Sequence, residues 1–408
     1  MPRHRHAVRA LTGALTTVVL ALAAVVGPAA GSASAAVDSW RVPARATITV
    51  PGHGYGHGHG LSQYGAQRAA RQGIGYRRIV EFYYPGARWG RAARKVSVLI
   101  SADTSEDVVV DARSRLTLRS RASGQRWRLA QRNARLWRIE PASRGRSAVS
   151  YKTRRWHPWR VVPGDAEFSA GGSPIRLHTP AGAVRYRGIL RSASPAGSRP
   201  TRDTVNVLPL DSYLRGVLPR EVPALWHPHA VRAQAVAART YASYERAHPI
   251  APHYQICDTS HCQVYGGASA EHPAADDAVR TTARQILTKR GAPAFAQFSA
   301  SSGGWTSAGG FSYLPARRDP YDAWSGNPHH SWRTSLDDRA IERQWPRLGN
   351  LTRIRVTRRD GNGDWGGRVE RLALTGDAGS GTTVRMSGDT FRLRLGLRST
   401  WFTFRVAR

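Results

Sequence analysis

Apolar and polar positions follow two different rhythms along this chain. From Val96 to Val207 they alternate in short runs: VSVLIS, VVVDARSRLTLRS, WRLAQ, ARLWRIE, IRLHT and VRYRGILR. Turn clusters such as Ala122-Ser123-Gly124 and Ala170-Gly171-Gly172 separate them, and Ser192–Arg202 reads as a surface loop. Period-two alternation at this spacing predicts an antiparallel β region with one solvated face. Leu351–Val406 alternates again, with Gly361-Asn362-Gly363-Asp364 as a turn. Between these regions the period lengthens. Ala230, Ala233, Ala237, Tyr241 and Tyr244 share one face of a helix that starts at Pro228. A shorter helix precedes it, breaks at Pro219, presents Glu221 and breaks again at Pro223. Further helices are predicted over Ser62–Arg71 and over Glu271–Arg290, where Ala275, Val279, Ala283 and Ile286 share a face. A helix or turn is expected within 76–94, a strand around Ala294–Ser299, and another strand-like piece beginning at His329, His330 and Trp332.

The fold class is therefore α+β, with mixed helices around a cleft and antiparallel β-rich regions. Four segments follow: 1–36, 37–94, 95–207 and 208–408. Residues 1–36 carry Arg3, Arg5 and Arg9, then an apolar stretch from Leu11 to Val26, then Ala33-Ser34-Ala35. That is the layout of a cleaved signal peptide, and the apolar run is short for a membrane span. The expected product is secreted and cell-wall associated, not transmembrane after cleavage.

The formal net charge is +34, and only Lys95, Lys152 and Lys289 are lysines. Nucleic-acid binders share this balance. An exported chain meets anionic wall polymers and lipid heads instead, so no nucleic-acid partner is expected. The predominance of arginine also fits a compositional bias, so the charge says little about chemistry.

Three stretches carry candidate chemistry. In ITVPGHGYGHGHGLSQYGAQRAARQG, glycine alternates with His53, Tyr55, His57 and His59, so backbone and imidazoles can approach a ligand closely. The alternative is a loop whose histidines only hydrogen-bond. In CDTSHCQVYGG, Cys257 and Cys262 are the chain's only cysteines. They form a disulfide, the default in an exported protein, or join His261 around zinc with His253 or His57 as fourth ligand. In Ala300-Ser301-Ser302-Gly303-Gly304-Trp305, hydroxyls and N–H groups beside a flat indole suit a sugar ring, or make a routine turn with a core tryptophan.

Glu221 alone would read as a surface carboxylate. The stretch around it, VNVLPLDSYLRGVLPREVP followed by AVRAQAVAARTYA, resembles the stage II sporulation protein D / LytB amidase-enhancer family. The histidine tract resembles that family's GxGHGxGxSQxGA signature, with His57, Ser62, Gln63, Gly65 and Ala66 on its fixed positions. His59 stands where an apolar residue is usual, which leaves open whether a site uses one imidazole or two. The cysteine segment and the small-residue run before Tyr313–Trp324 also resemble family segments. In sporulation-type members the signature is expected near the C-terminal end, so here the domain reads as circularly permuted. Thr47–Gly65 should then pack beside Val384–Val406 and complete the cleft of Glu221.

The resemblance implies a peptidoglycan lytic transglycosylase with Glu221 as catalytic acid. It implies substrate contacts from His57, Gln63, Tyr64, Gln234, Arg239, Ser301, Ser302 and Gly303. It implies no required cofactor, with structural zinc at Cys257, His261 and Cys262 or the disulfide in its place. Glycoside hydrolysis usually needs two carboxylates. Asp211 and Asp258 have local roles, as a helix cap and in a turn. A transglycosylase needs only one acid, because the C6 hydroxyl of N-acetylmuramic acid attacks the anomeric carbon. That acid must be protonated near neutral pH, so its pocket must be apolar; Pro223, Leu225 and Trp226 are the sequence neighbours available, while Arg220 opposes it. Two other readings stand beside this one: a non-catalytic, wall-binding enhancer of a cell-wall amidase, and a zinc amidase built on the histidine tract.

Overall fold

The structure is a computed structural model that describes residues 38–195, 201–379 and 381–408. The signal-peptide expectation for 1–36 lies outside these residues, as does the middle of the Ser192–Arg202 loop. The two β-rich stretches are antiparallel as their alternation predicts, except that Gly388–Arg394 of the second is a helix. A seven-stranded sheet runs in the order Ile256–Cys257, Lys95–Leu99, Asp203–Pro209, Ile189–Ala193, Ala166–Ser169, Thr117–Ser120 and Arg126–Arg128. A six-stranded sheet joins Trp156–Val162, Arg146–Lys152, Leu136–Ala142, Val108–Asp111, Ile175–Thr179 and Gly182–Tyr186. Their inward residues, including Val98, Leu118, Ile139, Val149 and Phe168, form one core with Leu210, Tyr213, Leu214 and Val217 of the following helix. The alternating region is thus not a separate body: its core continues across residue 208.

Seven α-helices lie among the described residues, which makes the class α+β. Those that matter for the site are α1 (Gln63–Arg71), α2 (Tyr76–Tyr83), α3 (Leu210–Glu221), α4 (Pro228–Ala247) and α5 (Pro273–Thr281). Ser62 caps α1 by accepting the Gly65 N–H at 3.1 Å. The α4 face of small residues does what its pattern suggests: Ala230, Ala233, Val236 and Ala237 pack against Ala66, Ala69, Ala70, Ile79 and Val80 of α1 and α2.

Two expectations need correction. Helix α3 does not break at Pro219 but continues to Glu221. One missing N–H in a final turn is cheap where the helix ends anyway. The helix expected over Glu271–Arg290 stops at Thr281, and Gln285–Lys289 is a strand paired with Arg88–Arg91. Arg284 turns the chain at a φ of 65°, and Ile286 and Leu287 are buried from the sheet instead of from a helix.

The two ends of the described chain meet. Thr47–His53 is the centre of a three-stranded sheet between Ser331–Asp337 and Arg405–Ala407. Beyond it, the His53 N–H donates to the Trp401 carbonyl and the Gly56 N–H to the Arg398 carbonyl, both at 2.9 Å. Thr47–Gly65 therefore packs beside the C-terminal segment, as expected.

Candidate active site

Glu221 is the last residue of α3, where a helix end turns a side chain out of the helical stack. The Val222 N–H closes the turn on the Leu218 carbonyl at 3.1 Å, and the chain then extends toward Pro223. Gly216 lets α3 seat tightly, since a Cβ there would lie 2.6 Å from the Gly267 carbonyl oxygen. Glu221 faces a cleft of about 510 Å³ lined by Tyr55, His57, Gln63, Tyr241, Val264 and Phe298 among others. It is the one carboxylate in that lining among the described residues.

The carboxyl has few partners. The Val264 N–H donates to Oε1 at 3.3 Å, and Gln63 supplies a second hydrogen bond. Gln263 steadies that strand of chain: its Nε2 donates to the Ala238 carbonyl and its Oε1 accepts from the Tyr213 hydroxyl, each at 3.2 Å. Burial outweighs these two bonds and pushes the Glu221 pKa from the usual 4.5 to about 7. The apolar wall is not the one expected from the sequence. Pro223 and Leu225 are exposed, Leu225 at 83%. Tyr241, Phe295, Phe298 and Val264 from later segments do the desolvating. Arg220 is exposed, runs its stem along Gly266, and is not among the charges acting on Glu221.

The glycine–histidine tract forms the opposite wall through Tyr55, Gly56, His57 and Gln63. Tyr55 and Ser301 exchange backbone hydrogen bonds at 2.9 and 3.2 Å, and Leu61–Ser62 pairs in parallel with Phe298–Ser299. Glycine is needed at Gly56, with φ of 99° and a would-be Cβ 2.8 Å from that of Ser299. His57 Nδ1 accepts the His59 N–H at 2.9 Å, and the two rings stack at 4.8 Å. Burial, then the nearby His59 and Arg368, pull the His57 pKa down to about 3, so the ring is neutral at ordinary pH. His59 turns away and bonds the Ser307 carbonyl, so one imidazole of the pair lines the cleft. Behind the tract, the fully buried Arg368 donates to the Ser302 carbonyl at 3.0 Å and the Gly56 carbonyl at 3.4 Å.

Several residues with implied substrate contacts sit elsewhere. Arg239 is fully buried: Nε pairs with Asp211 at 2.7 Å, Nη2 with the Val279 carbonyl at 3.1 Å, and Nη1 with Thr282 at 3.2 Å. It ties α3, α4 and α5 together and cannot touch a ligand in the cleft. Gln234 is buried within α4, its amide without a protein partner, and is not part of the cleft wall. The Ser301 hydroxyl bonds Asp322 and that of Ser302 bonds Asp319 at 2.8 Å, beneath the cleft floor of Ser299 and Ala300. Gly303 is there for close approach, since a Cβ would lie 2.7 Å from the Gly54 nitrogen. Asp322 gathers Ser62, Ser301, Asn327, His330 and the Ser302 N–H. Burial opposes its charge, but the bonds from His330, Ser62 and Ser301 prevail and hold it below the usual range. Burial and the Asp322 charge raise its neighbour Asp319 to about 7.

Cys257 and Cys262 are joined as a disulfide, and His261 is exposed at the cleft lip. The sulfurs are thus spent on each other rather than free as thiolates. His253 is engaged with Asp203 at 2.6 Å, and no group of three or more His, Cys, Asp or Glu suited to a metal ion occurs among the described residues. The zinc set is therefore not brought together here. Asp211 does not cap α3, which begins after Pro209 without a side-chain cap, but pairs with Arg239 of α4, and Asp258 holds the hydroxyl and N–H of the distant Ser101. Sequence reasoning missed Tyr241, Val264, Phe295 and Phe298 as cleft residues. Tyr241 was visible on the α4 face, but nothing in the local pattern joins it to Glu221.

Comparison with known proteins shows what the chain is similar to. Residues 198–288, from the approach to α3 through α4 and α5, match the stage II sporulation protein (SpoIID) family model. Among the relatives, the chain is 35% identical over 135 residues to the amidase enhancer of Bacillus subtilis (strain 168), covering 32% of this chain and 17% of that protein. It is 33% identical over 147 residues to stage II sporulation protein D of the same organism, covering 30% of this chain and 42% of that protein. A Brachyspira hyodysenteriae protein is 37% identical over 113 residues, 26% of this chain and 30% of its own length. The chain thus spans less than half the length of each of these curated relatives.

Proposed function

We propose that the protein is exported to the bacterial cell wall and cleaves the MurNAc–GlcNAc bond of peptidoglycan strands as a lytic transglycosylase. The observation that carries this reading is a solitary carboxyl, raised to about 7, in a cleft of glycan size. Protonated Glu221 gives its proton to the glycosidic oxygen as that bond breaks. The resulting carboxylate takes the proton of the muramic C6 hydroxyl as its oxygen bonds to the anomeric carbon. The acid is regenerated, no water is consumed, and a 1,6-anhydro sugar is left. The Val264 N–H and Gln63 amide stabilise the transient carboxylate, and neutral His57 offers shape without competing for the proton.

In this reading the signature's N-terminal position is a circular permutation, and its contact with the C-terminal strand supports the idea. The arginine-rich surface then serves retention on anionic wall polymer. Absence of helices long and apolar enough to cross a membrane, among the described residues, is compatible with a released protein.

A second reading is favoured by a relative's name, amidase enhancer: a wall-binding helper of a separate amidase. Purified protein on isolated peptidoglycan separates the two. The enzyme reading expects soluble anhydro-muropeptides from wild type and none from Glu221→Gln. The helper reading expects no products from either, and equal amidase stimulation by both.

A further inference from the structure

Four aromatic rings run in a row that starts at the cleft with Tyr55 and leads away from it. Tyr55 lines the cleft and is 44% exposed. Its ring meets His329 edge-on at 4.8 Å, His329 meets Tyr64 at 5.3 Å, and Tyr64 meets Trp226 at 4.8 Å. All four keep solvent-accessible surface. The row is anchored to the chemistry through the backbone: Tyr64 follows Gln63, which bonds Glu221, and Trp226 lies in the turn that leaves Glu221.

The rings are held rather than loose. The His227 N–H donates to Gln67 of α1 at 2.9 Å, which fixes the turn bearing Trp226. The Trp324 indole donates to the Tyr64 carbonyl at 3.3 Å. Arg398 donates to His329 Nδ1 at 3.2 Å. Burial and the Arg398 charge disfavour protonation of His329, so a neutral ring keeps its proton on Nε2, ready to donate. A row of half-exposed, braced aromatic rings interspersed with polar tips is poor core and good platform. It matches a pyranose ring, which has apolar C–H faces and a rim of hydroxyl and acetamido groups.

We propose that Tyr55, His329, Tyr64 and Trp226 form a subsite for a neighbouring N-acetylated sugar of the glycan strand, next to the one held at Glu221. The inference rests on the reading of the cleft as a glycan site. Tyr55, shared between the row and the cleft wall, is what selects a sugar over a protein partner. The row positions substrate and takes no part in proton transfer.

The test is calorimetric titration of a chitin hexasaccharide into the Glu221→Gln protein, which binds without turnover. Adding Trp226→Leu should weaken binding about tenfold, the loss of one ring-stacking contact. Adding Trp226→Tyr instead should restore most of it, which a purely structural role would not require. Circular dichroism and denaturation midpoints check that each variant folds. Unchanged binding in Trp226→Leu, or no recovery with tyrosine, overturns the subsite. So does failure of Glu221→Gln to bind while wild type still releases anhydro-muropeptides, and the proposed reaction then stands. Binding that depends on Trp226, without release of products by wild type, leaves the subsite and removes the reaction.

Discussion

Replacing Glu221 by glutamine should make the protein more stable above neutral pH and leave it little changed in acid. Glutamine keeps an acceptor for the Val264 N–H, but it cannot ionise. The wild-type carboxyl holds its proton to about 7 when folded, against 4.5 for an ordinary glutamate. Below pH 4.5 both folded and unfolded chains are protonated, and the site carries no penalty. As pH rises from 4.5 through 7, the unfolded chain ionises first and the stability is progressively lost. Above 7 the folded chain must hold a poorly solvated carboxylate, at a cost of about 3 kcal/mol relative to acid conditions. Urea denaturation of both proteins from pH 4 to pH 9 reads this directly. Asp319, also raised to about 7, contributes equally to both curves and cancels in the difference. The difference should grow across pH 5–7 and then level off. A difference that is flat with pH would refute the claim that the cleft desolvates Glu221.

Other outcomes follow from the same contacts. Arg239→Met should cost about 3 kcal/mol, because Asp211 and several buried acceptors lose a partner, yet the folded fraction should keep its product-forming rate; a rate loss exceeding the folded-fraction loss would return Arg239 to the cleft. Asp322→Ala should be among the most damaging changes, at about 4 kcal/mol by thermal denaturation, since it strands the hydroxyls and amides gathered there. Cys257→Ser with Cys262→Ser should cost about 2 kcal/mol and raise KM more than it lowers kcat, because the loop bearing Ser260 and His261 forms the cleft lip; an unchanged KM would mean that this lip does not meet substrate.

What could be read from the chain before its fold was known depended on distance along it. The strands of Val96–Val207 were legible because alternation is a local signal. So was α4, whose alanine face repeats within one element. Glu221 was legible as a carboxylate between helix ends, but the residues that raise its pKa were not. Of the apolar neighbours in sequence, Pro223 and Leu225 point to solvent and Trp226 is not in the cleft wall, whereas Phe295, Phe298 and Val264 arrive through long-range packing. The serines of 301–302 misled for a related reason. A Ser-Ser-Gly-Gly run looks the same whether its hydroxyls face a sugar or a buried Asp322, and only the fold decides. Arg239 was misassigned similarly, since a charged residue on a helix gives no local hint that Asp211 and α5 will enclose it. The helix expected to reach Arg290 was overextended because apolar spacing alone cannot tell Ile286 and Leu287 in a strand from the same residues in a helix.

The central claim is that one acid and the substrate's own hydroxyl suffice. Digestion of peptidoglycan in ¹⁸O-enriched water, with mass analysis of the released glycans, tests it most directly. The account predicts products lighter than the corresponding reducing sugars by one water and free of ¹⁸O. Reducing-end sugars carrying ¹⁸O would instead mean that water is the nucleophile, and that a second catalytic group has gone unrecognised.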